Sequence, residues 1–279
     1  MAIITISRGS YSRGKEVAEA LAKKLGYECV SRDILLETCE EFHIPEIRLV
    51  KALHDAPSIL ERFNHGKERY VSYFRSAFLN HVMRDNVVYH GLNGHFFLQE
   101  ISHAFKVRII ANLEDRVKVE MERENCSAEE ARYQLKKDDE ERRKWSRHLY
   151  GKDTLNCSLY DMVLHIDTLT VEDVVDILQD VVAKGRFDAT PESTEALQVK
   201  TLLANIHARI VNISPRASVE MHDGIVTLGQ LEGSLKSDKD FREQTAKELA
   251  EEFNVQEVVF SKPVAAKKDH VNTFYNLDV

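Results

Sequence analysis

Between Arg8 and Glu16 the chain reads Arg-Gly-Ser-Tyr-Ser-Arg-Gly-Lys-Glu, residue types whose spacing could hold a phosphate. Gly9 and Gly14-Lys15 fit the frame Gly-x-x-x-x-Gly-Lys, in which the N–H groups of a tight loop and of a helix start cradle an anion. Arg8, Ser10, Ser12, Arg13 and Lys15 add donors and positive charge, with Tyr11 among them. Glu16 stands where the frame needs a Ser or Thr hydroxyl for Mg²⁺, so its carboxylate would either bind the metal itself or repel the phosphates. A second charged stretch runs from Arg132 to Arg147, with Lys136, Lys137, Arg142, Arg143 and Lys144 interleaved with acids; by itself it reads as a solvated helix face held by i,i+4 pairs. His81, His90, His95 and His103 are close in sequence but cross a predicted strand and loop, which does not give two ligands on one helical face; no metal site is expected from them.

The loop needs a strand before it and a helix after it, and both are legible. Ala2 to Ser7 is β-branched and alternating; Val17, Leu21 and Leu25 recur as the buried face of a helix, which Gly26 closes. Tyr27 to Val30 reads as a second strand leading into Ser31-Arg32-Asp33, and residues 34–85 read as helical, including Lys67 to Arg84. Val87 to Gly91, Val107 to Ala111 and Asp161 to Asp167 read as strands; Asn112 to about Leu149 is helical and dense in charge, and Val171 to Ala183 reads as the closing helix. Strands alternating with helices predict an α/β fold with a parallel sheet flanked by helices.

Residues 185–195, Gly-Arg-Phe-Asp-Ala-Thr-Pro-Glu-Ser-Thr-Glu, have no hydrophobic period and read as a linker, placing a first domain at 1–184 and a linker at 185–196. A second domain at 197–261 follows: a helix from Leu197 to Ile213, a hairpin turning at Asp223-Gly224, a helix from Asp238 to Phe253 and a strand from Val255 to Phe260. Residues 262–279 form a polar tail.

The whole chain is 279 residues with 43% hydrophobic and 30% charged residues and a formal charge of −8, which argues against a general nucleic-acid or anionic-membrane binder. Four scattered cysteines without a Cys-x-x-Cys pair suit a reducing cytoplasm rather than a zinc ribbon or disulfide scaffold. Neither a signal peptide nor a membrane span is expected, and the location expected is cytoplasmic.

Ile-Thr-Ile-Ser-Arg, the Ser12/Gly14/Glu16/Ala18 pattern, Leu-Ala-Lys-Lys-Leu-Gly-Tyr and Ser31-Arg32-Asp33 are similar to the cytidylate-kinase-like family of P-loop nucleoside monophosphate kinases. So are the strands ending at Gly91 and Ala111, Glu114 and Arg116, Asp138-Asp139 with Arg142-Arg143, Tyr150-Gly151 and Tyr160-Asp161-Met162-Val163-Leu164, in order over residues 1–184. The resemblance implies that residues Arg8 to Glu16 hold ATP phosphates with Mg²⁺, and that Arg32, Asp33, Gly91 and Asn93 border a nucleoside monophosphate, CMP or dCMP. It also implies that Arg132, Arg142, Arg143 and Arg147 form a basic lid with Asp139 orienting one of them, and that Lys15, Arg132, Arg142 and Arg143 serve phosphoryl transfer. Two departures stand out. Aligned on the helix, the family's lysine falls on Gly14; aligned on Gly9, it falls on Lys15. Gly91-Leu92-Asn93-Gly94-His95 also lacks the arginine of the family's Gly-Arg-Gly or Gly-Arg-Asp loop.

Residues 197–261 resemble a BON domain, chiefly through Asp223-Gly224-Ile225-Val226-Thr227-Leu228-Gly229, implying a binding module that contacts a partner protein or a second copy. The departures keep two rivals open: a nucleotide-binding regulator without turnover that signals through this module, and a scaffold that binds no nucleotide.

Overall fold

The structure, a computed structural model, describes residues 2–32, 64–91 and 93–261. Asp33, the helix expected over 34–63, Leu92, Cys39 and the tail lie outside those residues. The chain divides into two compact units, Met1–Ala208 and Arg209–Val279.

The first unit is built on a parallel sheet of five strands in the order β2-β3-β1-β4-β5. These are β1 (Ile3–Arg8), β2 (Glu28–Ser31), β3 (Val87–His90), β4 (Ala104–Ala111) and β5 (Met162–Ile166). In register, Ile3 pairs with both Val87 and Ala104, and Ser7 pairs with Arg108. Because strand side chains alternate, β1 buries both faces. Ile4 and Ile6 join Val107 and Ile109 of β4 in a core with Val17 and Leu21 of α1 (Gly14–Leu25). Val174, Val175 and Leu178, from the helix Val171–Ala183, complete that core. Among the helices, the Gly26 N–H closes α1 on Ala22 O in a left-handed cap at φ 69°.

Other elements of this unit carry an aromatic cluster: Tyr70, Phe74 and Phe78 of α2 (Gly66–Val82), Tyr89 of β3, Phe97 and Trp145. The helical stretch expected from Asn112 is divided in two: α3 (Leu113–Glu124) ends at Asn125, φ 51°, and α4 (Ala128–Tyr150) begins with Ser127 and Glu130 capping each other reciprocally. α5 (Val171–Ala183) matches its expected span. α6 (Pro191–Ile210) starts inside the expected linker, because Thr190 and Ser193 cap it and Pro191 suits a first helical turn; it ends before Ile213.

In the second unit, β6 (Ser218–His222) and β7 (Ile225–Gly229) form an antiparallel hairpin. Its turn residues Asp223 and Gly224 have φ 50° and 79°, the left-handed pair that matches strand twist. The short α7 (Gly233–Ser237) and α8 (Lys239–Phe253) lead to β8 (Glu257–Phe260), which pairs parallel with β7. Val226, Leu228, Leu235 and Leu249 are its buried core. Among the described residues no helix is long and apolar enough to cross a membrane.

Candidate anion-binding cleft

The loop from Gly9 to Arg13 leaves the carboxyl end of β1, where ligands of open parallel sheets bind. Tyr11 and Arg13 sit at φ 52° and 60°, a region that glycine enters freely and side chains rarely do. The loop therefore needs outside support. The Ser12 hydroxyl lies 3.1 Å from the carbonyl oxygens of both Gly9 and Ile109. Arg116 of α3 donates from Nε to Ser10 O at 2.6 Å, and from Nη2 to Asp139 at 2.7 Å. The other Asp139 oxygen accepts the Ser10 N–H at 3.0 Å. The Arg123 guanidinium lies 4.3 Å from the centre of the Tyr11 ring. A Cβ on Gly14 would come within 2.8 Å of the Arg8 Cβ, so the helix start and the strand end approach closely here.

Beside this loop lies a cleft of about 370 Å³ lined by Arg8, Arg108, Arg116, Lys136, Arg142 and Arg143, with Asp139 and Glu140 as its carboxylates. Ile110, Leu113 and Leu155 add apolar wall. Asp139 is committed to Arg116 and the loop. Arg142 makes no hydrogen bond or ion pair among the described residues. Burial of its charged end, and then the neighbouring charge of Arg8, push its pKa down to about 10. A desolvated cation in such a cleft is chemically able to receive an anion.

The residues singled out from the sequence do not all meet here. Arg8, Gly9, Ser12, Arg142 and Arg143 line the cleft. Arg143 is already engaged, donating from Nε and Nη2 to Asp153, which Arg147 also clasps; Arg143 foremost holds that carboxyl well below the usual range. Arg132 forms a two-point pair with Glu114 and is not among the lining residues. Lys15 lies 3.6 Å from Glu19 with 61% of its side chain exposed, and Glu16 pairs with Arg13 at 3.3 Å, also exposed; neither lines the cleft. Asp139 orients Arg116 and the loop rather than a lid arginine. Arg32 donates to the Tyr70 hydroxyl at 3.3 Å and lies 5.9 Å from the centre of the Trp145 ring. Past β3, Gly91 has φ 152° and Asn93 φ 68°; the Asn93 side-chain amide is buried, and neither its oxygen nor its nitrogen is bonded among the described residues.

Arg108 and Arg116 are cleft residues that the sequence motifs did not single out for binding. A visible signal existed for Arg108: a charge inside the otherwise apolar run Val107 to Ala111 of a central strand.

The Arg116–Asp139 brace makes a testable prediction. Asp139→Ala is expected to lower the unfolding free energy by about 1–2 kcal/mol, less than a fully buried pair would because 37% of the Asp139 side chain is exposed. Asp139→Asn should cost less, since an amide oxygen still accepts from Ser10. Urea unfolding of both variants checks the order, and equal losses would show that the loop bond contributes nothing.

A family model described as the cytidylate kinase-like family matches residues 3–168. The cytidylate kinase of Sulfolobus acidocaldarius is 25% identical over 182 residues, covering 65% of this chain and 94% of that protein. Among solved structures, an uncharacterized protein from Eubacterium ventriosum is similar with a TM-score of 0.51 at 18% identity, over 66% of this chain and 99% of that one; this likeness concerns the fold.

Proposed function

Because the chain belongs to the cytidylate kinase-like family, we propose that it transfers the γ-phosphoryl group of ATP to a nucleoside monophosphate, with CMP or dCMP as the acceptor. The observation that carries this reading is Arg142, a desolvated cation without a protein partner among the described residues, in a cleft at the carboxyl end of β1. Phosphoryl transfer asks a protein mainly to position two nucleotides and to cancel charge on the moving group. In the reaction an acceptor phosphate oxygen attacks the γ-phosphorus, the bond to the β–γ bridging oxygen breaks, and ADP leaves. The loop braced by Arg116 and Asp139 orients the donor phosphates, and Arg8 and Arg142 meet their charge. The unpartnered Asn93 amide supports an acceptor site past the end of β3.

Mg²⁺ carried by nucleotide phosphates needs only one or two protein carboxylates. Glu140 fits that need, since it lines the cleft and makes no ion pair among the described residues. Glu16 does not, being turned to Arg13. When bound, the ion withdraws charge from the phosphate oxygens.

The exposed, ion-paired Lys15 and Glu16 favour one other reading, a nucleotide-binding regulator without turnover. For the second unit, the hairpin of β6 and β7 followed by α8 and the parallel strand β8 supports a BON-like binding module that contacts a partner protein or a second copy. The kinase reading is tested with labelled ATP, Mg²⁺ and a panel of nucleoside monophosphates at high enzyme concentration. Product with CMP or dCMP is expected; binding of ATP without product from any acceptor would leave the regulator.

A further inference from the structure

Arg108 is 8% exposed, yet no carboxylate partners it among the described residues. Its Nη1 donates to the Ser7 hydroxyl at 3.3 Å and to the Tyr160 hydroxyl at 3.2 Å, and its guanidinium lies 5.6 Å from the centre of the Tyr160 ring. Tyr160 gives its own proton to Thr154 O at 3.0 Å, which leaves the phenol oxygen free to accept from Arg108. These neutral contacts aim the group without neutralising it. A guanidinium taken out of water costs several kcal/mol unless a charge compensates it, and this one lines the same cleft as Gly9, Ser12 and Arg142.

The loop itself does not supply a cation to that place. In a phosphate loop of the Gly-x-x-x-x-Gly-Lys frame the lysine reaches the outer phosphates, but here Lys15 points to Glu19. Arg108 is next to Ser7 across the β1–β4 ladder, one residue before the strand turns into the loop at Arg8 and Gly9. We propose that Arg108, reaching from β4, is the cation that binds the polyphosphate chain of the donor nucleotide in place of a loop lysine. This rests on the kinase reading only for the identity of the donor; the ligand chemistry is a linear polyphosphate. The role suits arginine, whose planar fork takes two oxygens at once and whose charge persists at every physiological pH.

The test is calorimetric titration of inorganic tripolyphosphate into the full chain, alongside the phosphoryl-transfer assay. Arg108→Met is expected to weaken tripolyphosphate at least tenfold, and Arg108→Lys, which keeps charge but loses the fork, by three- to tenfold. Lys118→Met, which removes an exposed cation paired with Asp115, should bind as the wild type does. If Arg108→Met does not fold, Arg108→Lys decides by the same comparison. The proposal falls if the wild type does not bind tripolyphosphate, if the Arg108 variants bind as tightly as the wild type, or if the loss follows Lys15→Met instead. Arg108-dependent binding without transfer to any monophosphate would end the kinase reading and leave this proposal standing. Transfer that survives Arg108→Met with unchanged tripolyphosphate affinity would do the reverse.

Discussion

Arg142→Met should make the protein more stable and nearly abolish phosphoryl transfer. The native environment holds the Arg142 pKa at about 10, down from 12.5, foremost because its charged end is desolvated and next because Arg8 repels it; Asp139 and Asp138 pull the other way, and Arg32 adds a smaller repulsion. That drop corresponds to roughly 3 kcal/mol of unfavourable charge energy, which water in an open cleft reduces to about 2 kcal/mol. At neutral pH both folded and unfolded chains carry the proton, so the penalty is present in full and methionine removes it. On the proposed kinase reading the same substitution takes away a cation that meets the transferring charge, and kcat/KM is expected to fall by about 10²–10³. Arg143→Ala should behave differently. It loosens the clasp on Asp153, which Arg147 partly retains, and lowers stability only slightly. Urea unfolding and transfer kinetics on both variants separate the two neighbours. A destabilised Arg142→Met with unimpaired turnover would refute the assignment.

Lowering the pH from 7 to 5 should cost about 2 kcal/mol of unfolding free energy through His95 alone. This ring is 1% exposed and packs at a tilt against Phe96 and Tyr160, at 4.1 and 4.8 Å between centroids. Burial foremost, then the charges of Arg108 and Lys106, push its pKa down to about 3, and its Nε2 has no hydrogen-bond partner among the described residues. A folded pKa below the unfolded value near 6.5 means that the unfolded chain takes up a proton the native ring refuses. The stabilising advantage of the neutral ring is complete above about pH 6.5 and is lost progressively down to about pH 3, at roughly 1.4 kcal/mol per unit. His103, also lowered foremost by burial, works in the same sense, so the contribution of His95 is the difference between wild type and His95→Gln. Denaturant unfolding at pH 7 and 5 gives that difference. Parallel pH dependences would show that His95 is protonated in the native state.

Much of the architecture follows from local pattern. The apolar period of Val17, Leu21 and Leu25 with Gly26 behind it specifies α1, the short β-branched runs specify the parallel strands, and Asp223-Gly224 specifies the second unit's hairpin. The break between α3 and α4 was also written locally, in Asn125 and the Ser127–Glu130 capping box, but charge on both sides concealed it. Thr190-Pro191 likewise marks the start of α6 inside a stretch whose polarity reads as linker.

The chemistry of the cleft is of another kind. Lys15 looked like the phosphate-binding cation because a motif counts positions along the chain, whereas its direction is set by Glu19 one helical turn on. Arg142 and Arg143 are neighbours with the same side chain, and only the arrival of Asp153 against one of them separates an engaged arginine from an uncompensated one. Arg108 and the loop are about a hundred positions apart and meet because β1 and β4 are adjacent in the sheet. Hydrophobic period, caps and turns are properties of contiguous residues, and the sequence by itself determined those. Whether a buried charge is compensated depends on every element that converges on it, and that balance is decided only by the tertiary structure.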